Sequence, residues 1–427
     1  MVLGSTLATF IVLVILSLPI VFALGIAAIV GLVLGGFPLQ MFSSSLVSGS
    51  QNWVLLAVPS FIFAGSVMER CGMSNALVEL ARAMVGWVRG GLGMSVIVVS
   101  YFFSDLCGSK MAEVSALGAT LTPPLLKAGY RREDAASLIA SGTAMGMLVP
   151  PAIFMIILGE VTNTSVVALF LAGFIPAAVV GLCLTVVVMV QAHRLNWPKD
   201  TRPSLRFFLS AARAAAVPMV VPIVLFAGFY FGVFTASEAG AIVAFYSVVA
   251  ARYFYRSITW LELFHIAYES ALLTAAVIFL LAVATIFQYL MGISGVPILM
   301  ADLLRPLEGA NWMFLIGAAL MGMLIGMVLE GLPAAVVLVP VVFPIAVRLG
   351  IQPIHFDIVL VAAVGVGLFL PPMGVGLLVA LRFAKVSVGR HAKTYFPYML
   401  ALFIGLLLII CIPELSLFLP RSAGYLR

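Results

Sequence analysis

Long apolar stretches dominate the chain, and short segments rich in basic residues, glycine or proline separate them. A helix needs about 20 apolar residues to cross the hydrocarbon core of a bilayer. Residues 3–35 therefore predict either one tilted span or two short helices that meet at Pro19. The further predicted helical segments are 53–70, 92–104, 110–128, 134–160, 164–192, 207–232, 235–254, 260–291, 311–328, 333–347, 355–384 and 395–419.

The composition is that of a membrane protein. Hydrophobic residues make up 64% of the sequence and charged residues only 9%, whereas soluble domains carry roughly 25% charged residues. We therefore predict an all-α polytopic membrane protein. Residues 1–68 contain no charged side chain, so we expect the N-terminal segment to stay in the membrane rather than to be cleaved as a signal peptide.

Charge and cysteine content exclude several other classes. The formal net charge of +6 comes from basic residues in short loops, which is typical of the cytoplasmic loops of membrane proteins and does not predict binding to nucleic acid. The four cysteines show no CxxC spacing, so we predict neither a disulfide framework nor a transition-metal site.

Five glycine and proline positions recur with a constant displacement of 221 residues. They are Pro123, Gly129, Gly146, Pro150 and Pro151, which reappear as Pro344, Gly350, Gly367, Pro371 and Pro372. Because these residue types interrupt helices, the sequence predicts two structural repeats whose helices stop at equivalent places. Paired interruptions in two halves of a membrane protein are typical of secondary transporters.

Basic clusters predict which ends of the helices face the cytoplasm. If 134–160 and 164–192 each cross once, residues near 164 lie outside, whereas the equivalent point at 385 lies inside. The repeats are then inverted, and 92–128 and 311–347 become re-entrant hairpins that enter from opposite sides. The clusters used here are Lys127, Arg131 and Arg132; Arg194, Lys199, Arg202 and Arg206; Arg252 and Arg256; and Arg382, Lys385, Arg390 and Lys393.

The two Pro-Pro pairs bear on function because a helix that unwinds inside a membrane exposes backbone groups that lipid cannot satisfy. We expect carbonyls around Gly146 and Met147 to be freed for a hard cation such as Na⁺. The half-helix N-termini after the breaks would attract an anionic solute. The alternative is that the prolines only kink packed helices, which a lone pair favours and a repeated pair does not.

Five stretches together resemble the large membrane subunit of tripartite ATP-independent periplasmic (TRAP) transporters, within the ion-transporter superfamily. The similarity runs in order over essentially the whole chain. The stretches are PSFIFAGSVMERCGMS at 59–74, GSKMAEVSALGATLTPPLLKAGY at 108–130, ASGTAMGMLVPPAIFMIILG at 140–159, LEGLPAAVVLVPVVFPIAVRLGI at 329–351 and HFDIVLVAAVGVGLFLPPMG at 355–374.

This resemblance implies sodium-driven uptake of an organic acid, such as a dicarboxylate, a sugar acid or sialic acid, across the bacterial inner membrane. It implies two protein partners, a small membrane subunit of four helices and a periplasmic substrate-binding protein. No cofactor is implied other than Na⁺ as the coupling ion. The hairpins and broken helices would form a transport domain that moves through the lipid bilayer against a scaffold, as an elevator.

The repeat and the resemblance together divide the chain into four parts. We expect N-terminal scaffold helices at 1–52, a first repeat at 53–192, central scaffold helices at 193–259 and a second repeat at 260–427. The first repeat would contain an amphipathic arm at 74–89, a hairpin at 92–128 and a broken helix at 134–160. The second would contain an arm at 296–308, a hairpin at 311–347, a broken helix at 355–384 and a last span at 395–419.

The resemblance also implies two sodium sites. The first would use Cys107, Ser109, Gly146, Val149 and Pro151, and the second Gly326, Glu330, Gly367, Leu370 and Pro372. The candidate substrate contacts are Ser104, Asp105, Lys110, Thr143 and Gly374. Two positions depart from the family, since Leu370 stands where Thr is common and Ala152 where Ser is common. The second site therefore lacks a hydroxyl ligand.

Ionisable residues at the hairpin tips have two possible roles. Lys110 and Glu113 are three positions apart on one helical face, which predicts a neutralising ion pair or, for Lys110, a contact to a substrate carboxylate. Glu330 is the repeat equivalent of Ser109 and would bind Na⁺ or, if protonated, couple transport to protons.

Catalytic motifs do not stand out in the sequence. The four histidines, His193, His265, His355 and His391, show no HExxH spacing, and there is no Walker motif. We therefore predict a transporter rather than an enzyme. The alternatives are a proton-coupled organic-anion transporter that works without a binding protein, an intramembrane enzyme and a purely structural membrane subunit.

Overall fold

Helices account for the regular structure in the computed structural model, which describes residues 2–103, 109–199, 202–293, 310–329 and 331–426. Within these ranges no strand forms, and seven helices are long and apolar enough to cross a membrane. Shorter apolar helices of 10–17 residues accompany them. The predicted all-α polytopic fold is thereby confirmed.

The N-terminal region consists of three helices, α1 (Val2–Ile15), α2 (Ile20–Leu34) and α3 (Gln40–Ser50). Residues 3–35 thus form two short helices, with Pro19 directly before α2, and α1 packs against α2. The sequence did not predict α3, because this helix is rich in serine rather than in apolar residues. Its hydroxyls donate to carbonyls three residues earlier, as Ser50 Oγ does to Val47 O at 2.9 Å.

The next region runs from a 3₁₀ turn at Trp53–Leu56 to Arg194. Its helices are α4 (Ala57–Arg70), α5 (Met73–Val85), α6 (Gly91–Phe103), α7 (Lys110–Lys127), α8 (Arg132–Gly146), α9 (Ile153–Thr162) and α10 (Val166–Arg194). The amphipathic helix α5 packs against α6 and buries Leu77, Val78 and Ala81. Residues 104–108, which belong to the predicted first hairpin at 92–128, lie outside the described residues.

The rest of the chain begins with α11 (Leu205–Tyr230), α12 (Ala236–Val249), which continues into a π turn at Ala250–Phe254, and α13 (Trp260–Ile293). It continues with α14 (Asn311–Val328), α15 (Gly331–Arg348), α16 (Pro353–Gly367), α17 (Val375–Ala384), α18 (Val388–Cys411) and α19 (Glu414–Ser422). The predicted arm at 296–308 lies outside the described residues.

The structure contains a last apolar helix long enough to span a membrane, but the predicted bounds of 395–419 are wrong. Helix α18 begins earlier, at Val388, and ends at Cys411, and α19 is a separate helix. Ile412 leaves the helical conformation with φ −123° and ψ 83°. The following Pro413 has no amide N–H, so it cannot extend the hydrogen-bond ladder of α18.

The two repeats have matching helix lengths. Helices α7 and α15 both contain 18 residues, α8 and α16 both contain 15, and α9 and α17 both contain 10. After α7 and α15, Gly129 and Gly350 adopt φ values of +88° and +72°. Only glycine enters this left-handed region at little cost, which explains why it recurs at both helix ends.

The interpretation of all five repeated positions as helix stops is wrong for one pair. Pro123 and Pro344 lie inside α7 and α15, which continue past them. Membrane helices tolerate such prolines because neighbouring groups satisfy the carbonyl that loses its amide partner. The glycines and the Pro-Pro pairs do mark helix ends.

The two repeats are interlocked. Helix α7 packs against α17, and α15 packs against α9, so the second helix of each hairpin contacts the second half of the other repeat's broken helix. Within each repeat, α6 packs against α8 and α14 against α16. These contacts are reciprocal between the two repeats, and the first halves of the two broken helices, α8 and α16, are buried along almost their whole length.

Candidate functional site

The two broken helices follow similar backbone paths. Each contains a cis peptide bond between its two prolines, at Pro150-Pro151 and Pro371-Pro372. The carbonyl of Gly146 accepts a hydrogen bond from the Val149 amide at 3.1 Å, and that of Gly367 accepts one from Leu370 at 2.9 Å. The expectation that the prolines free the Gly146 carbonyl is therefore wrong only in part, because a single 3₁₀ turn uses that oxygen as an acceptor once, whereas a carbonyl oxygen has two lone pairs.

The two breaks differ in length by one residue. Ile153 begins α9 two residues after Pro151, whereas Val375 begins α17 three residues after Pro372. The extra residue gives the second break room for a compact turn, in which the Gly374 amide donates to Leu370 O at 2.8 Å. Gly374 is needed there, since a Cβ would lie 2.6 Å from Leu368 O and 2.7 Å from Leu370 O.

Burial separates the two breaks more clearly. Pro150, Pro151 and Ala152 in the first break are buried. In the second break Pro372 is exposed, and Met373 exposes 57% of its surface. The first break is thus enclosed by protein, whereas the second reaches the surface of the chain.

Met147 in the first break lies against the second repeat. A Cβ built at Gly365 on α16 would lie 3.2 Å from Met147 Cβ and 3.0 Å from Ala144 O. A Cβ at Gly331, the first residue of α15, would lie 2.6 Å from Met147 Cε. These glycines let the second repeat approach the first break, so one central region contains parts of both repeats.

Helix α8 carries buried hydroxyl groups, of which Thr143 lies in its last turn, directly before the first break. Ser137, Ser141 and Thr143 are fully buried, and Thr143 Oγ1 donates to Ile139 O at 2.7 Å. The repeat equivalents on α16 are the apolar residues Ile358, Ala362 and Val364. Hydroxyl oxygens, which are good ligands for hard cations, therefore line only one of the two broken helices.

The predicted ion pair in the first hairpin is confirmed. Lys110 Nζ lies 2.6 Å from Glu113 Oε2, and the two side chains expose only 5% and 0% of their surface. Burial of both charges without such pairing would be strongly unfavourable. The repeat equivalents in the second hairpin are Gly331 and Ala334, which carry no charge. A contact between Lys110 and substrate stays a prediction.

Charged residues fix the start of α8 to its surroundings. Arg131 donates from Nε and Nη2 to the two carboxylate oxygens of Asp134, each at 2.9 Å, and this hydrogen bonding raises the pKa of the Arg131 guanidinium above its usual value. Glu133 pairs with Arg390 on α18 at 3.2 Å. Ser137 Oγ lies 2.9 Å from His391 Nε2, which also joins α8 to α18.

The sequence did not predict a buried carboxyl group that lies between the start of α16 and the end of α9. Asp357 on α16 is fully buried, and its Oδ2 lies 2.9 Å from Thr162 Oγ1 at the end of α9. No described cation forms an ion pair with it, and Oδ1 has no hydrogen-bond partner among the described residues. An acidic residue inside an apolar segment was the signal that could have identified it.

The structure describes some of the predicted site residues, while others lie outside the described residues. Ser109 directly precedes α7, which packs against α8, and Gly146, Val149 and Pro151 lie in the first break. In the second site, Gly367, Leu370 and Pro372 lie in the second break, and Gly326 on α14 is close enough that a Cβ would lie 2.8 Å from Val364 O. The positions outside the described residues are Ser104, Asp105, Cys107 and Glu330.

The donor set suits a hard cation at the first break better than at the second. The first break is buried and has Thr143 in the preceding helical turn, whereas the second has Leu370 and an exposed Pro372. Among the described residues, no group of three or more His, Cys, Asp or Glu side chains could hold a metal ion.

Comparison with known proteins identifies relatives over almost the full length. The sequence profile described as "Tripartite ATP-independent periplasmic transporter, DctM component" matches residues 7–415. The chain is 33% identical over 379 residues to the C4-dicarboxylate TRAP transporter large permease protein DctM of Pseudomonas aeruginosa, with 89% of each chain covered. It is also 33% identical, with the same coverage of both chains, to the 2,3-diketo-L-gulonate TRAP transporter large permease protein YiaN of Escherichia coli.

A solved structure shares the fold at much lower sequence identity. The crystal structure of the Alcanivorax borkumensis YdaH transporter superposes with a TM-score of 0.60, covering 87% of this chain and 88% of that one. At 15% identity, this likeness supports the fold alone.

Proposed function

Because the chain belongs to the tripartite ATP-independent periplasmic transporter family as its large membrane subunit, we propose that it carries an organic-acid anion across the bacterial inner membrane. Members of this family are multi-pass inner-membrane permeases, so the chain is a transporter and not an enzyme. The names of its relatives specify a C4-dicarboxylate and 2,3-diketo-L-gulonate. Both are carboxylates, so a small organic acid is the substrate class we propose.

The observation that carries this proposal is the pair of interrupted helices at the centre of the fold. A helix that restarts inside the protein presents backbone N–H groups and the positive end of its dipole, which attract a carboxylate. A helix that stops there presents carbonyl oxygens, which suit Na⁺. We propose that the start of α9 and α17 binds the substrate anion and that the end of α8 and α16 binds sodium.

We propose sodium as the coupling ion, with the stronger site at the first break. The buried hydroxyls of α8 and the buried Pro150-Pro151 turn favour this location over the second break. A cation bound there would offset the charge of the substrate anion, so binding of one would favour binding of the other.

The interlocked packing supports an elevator mechanism. Each hairpin contacts the broken helix of the other repeat, so α6–α9 and α14–α17 would move as one body. Helix α13 packs against α2, α3 and α4, and α11 packs against α5. We propose that the helices around α13 form the scaffold and that α5 is the arm that links it to the moving body.

The family's description as tripartite supports two partners. We propose that a small membrane subunit braces the scaffold and that a periplasmic binding protein delivers the substrate. Exposed apolar residues on the proposed scaffold, such as Phe245 and Phe264, would contact lipid or the small subunit.

Reconstitution tests the proposal directly. The chain, its small membrane subunit and its binding protein would be placed in proteoliposomes, and uptake of labelled succinate, 2,3-diketo-L-gulonate and sialic acid would be measured. We expect accumulation of at least one acid only when a sodium gradient is imposed. Uptake that is independent of sodium but requires a proton gradient would contradict the proposed coupling.

A matched pair of variants tests the first sodium site. Ser109→Ala removes the hydroxyl at the start of α7, and we expect a higher sodium concentration for half-maximal uptake. Ser115→Ala is the control, because its hydroxyl on the same helix donates to its own backbone at Met111 O. An equal change in both variants would argue against a ligand role for Ser109.

Proton coupling is the second candidate, and Asp357 is the observation that favours it. Thr162 Oγ1 lies 2.8 Å from Leu158 O and 2.9 Å from both Thr164 Oγ1 and Asp357 Oδ2, yet a hydroxyl has only one proton to donate. If that proton goes to Leu158 O, the Asp357 contact needs a protonated acid. Asp357→Asn should then abolish any dependence of uptake on a pH gradient while leaving sodium dependence intact.

A further inference from the structure

A groove of about 330 Å³ opens between the C-terminal end of α10 and the N-terminal half of α18. Val186, Val190 and Leu195 line one side and expose 53%, 47% and 41% of their surface. Both helices are long and apolar enough to span a membrane. The groove therefore lies where the end of a membrane span meets the polar surface of the bilayer.

Three basic residues, Arg131, Arg194 and Lys393, line the same groove. Arg194 and Lys393 are exposed, and neither forms an ion pair with a described carboxylate. Arg131 donates from Nε and Nη2 to Asp134, so its Nη1 group can donate to another acceptor. The Arg131 side chain is 56% exposed. Apolar walls below a cluster of cations match the amphipathic character of an anionic lipid.

The groove also contains hydrogen-bond acceptors that need donors. Gln191 Oε1 is buried and has no hydrogen-bond partner among the described residues. Pro397, which also lines the groove, has no amide to donate to the Lys393 carbonyl four residues earlier. A buried acceptor without a donor is unfavourable, so an occupant with hydroxyl groups fits better than a bare anion.

We propose that this groove binds an anionic phospholipid of the phosphatidylglycerol type. The phosphate contacts Arg194 and Lys393, the glycerol hydroxyls of the headgroup donate to Gln191 Oε1, and the acyl chains follow Val186 and Val190 along α10. The site is separate from the breaks, and it adjoins the proposed moving body only through Arg131, which directly precedes α8.

The charge of the groove favours a lipid headgroup over a protein helix. Its exposed cations, Arg194 and Lys393, need a compact negative charge, which a phosphodiester supplies.

Lipid binding to the purified chain in detergent tests the proposal. Native mass spectrometry would compare short-chain phosphatidylglycerol, phosphatidic acid, phosphatidylcholine and inorganic phosphate. We expect phosphatidylglycerol to bind about tenfold more tightly than phosphatidylcholine. Arg194→Gln combined with Lys393→Gln should lose about tenfold of that affinity, and Lys393→Gln alone about threefold.

Matched variants distinguish a specific lipid-binding site from general attraction between basic residues and anionic lipids. Arg206→Gln combined with Arg213→Gln on α11 removes the same charge from exposed positions outside the groove and should leave lipid binding unchanged. Gln191→Leu should weaken phosphatidylglycerol but not phosphatidic acid, which lacks the headgroup hydroxyls.

Four results would overturn the proposal. They are equal losses in the two double variants, no preference for phosphatidylglycerol over phosphatidylcholine, binding of inorganic phosphate as tight as that of the lipid, and displacement of the lipid by the small membrane subunit. The single Lys393→Gln variant keeps the test informative if the double variant does not fold.

Discussion

The first break is enclosed by protein, whereas the second opens to the surface. Both contain the same cis Pro-Pro pair and are flanked by helices of 15 and 10 residues. Yet Pro151 is buried, and Pro372 is exposed. Helix-breaking residues therefore determine the backbone path of each break. The side chains packed around each break determine which chemical groups it can bind.

The side chains near the two breaks have diverged at several equivalent positions. The first repeat carries buried polar groups, namely the Lys110–Glu113 pair and the hydroxyls of α8. The second repeat has Gly331, Ala334 and apolar residues at the equivalent places. If this contrast has functional meaning, changes in the first repeat should affect stability and sodium coupling more than matched changes in the second.

The largest effect is expected from removing one partner of the buried ion pair. Lys110→Met leaves the Glu113 carboxylate without its ammonium partner, and unfolding should become easier by about 3 kcal/mol or more. Lys110→Met combined with Glu113→Leu should recover most of this loss, since the second hairpin is apolar at both positions. Thermal unfolding in detergent measures both, and equal destabilisation by the two variants would contradict an energetically coupled pair.

A Cβ beside either break should cost about 1–3 kcal/mol. Gly173→Ala would place its methyl group against the Leu148 carbonyl of the first break, and Gly367→Ala against the Met323 carbonyl on α14. The control is Gly317→Ala, where no atom lies within 4 Å and the better helix propensity of alanine should give a small gain. Similar losses at Gly173 and Gly367 in thermal unfolding would show that both breaks are tightly packed despite their different exposure.

The two buried aspartates should respond differently to amidation. Asp134→Asn weakens two hydrogen bonds from Arg131, so we expect a loss of about 1–2 kcal/mol, reduced because the arginine is partly exposed. Asp357→Asn should cost less than about 1 kcal/mol, since an amide can donate to Thr162 and no described cation loses its partner. A larger loss at Asp357 in chemical unfolding would reveal a charged role for that carboxyl group.

The smallest change in the free energy of unfolding, within about 1 kcal/mol, is expected when a hydroxyl is removed from the first repeat or introduced at the equivalent position of the second. Thr143→Val makes the first broken helix resemble the second at this position, and we expect a few-fold higher sodium concentration for half-maximal uptake. The matched control is Val364→Thr, the reverse change at the equivalent position of α16, which should leave sodium dependence unchanged. Uptake measured across a sodium series distinguishes the two, and an effect only at Val364 would transfer the main cation site to the second break.

Much of the fold follows from local sequence signals. Apolar length predicted most helices within a few residues, and the recurring glycines and Pro-Pro pairs predicted where the broken helices stop. Local sequence signals failed to predict two features of the fold. The serine-rich α3 lacks the apolar signature of a span, and Pro123 and Pro344 lie inside helices that continue past them.

The membrane class, the duplication and the places of interruption depend on residue type and spacing along the chain, so the amino-acid sequence is enough to predict them. The interlocking of the repeats, the burial of one break but not of the other, and the contact between Asp357 and Thr162 appear only in the folded protein. These features depend on contacts between residues far apart in the chain. No local pattern encodes which helix packs beside which, so burial and hydrogen-bond partners emerge only when the helices assemble.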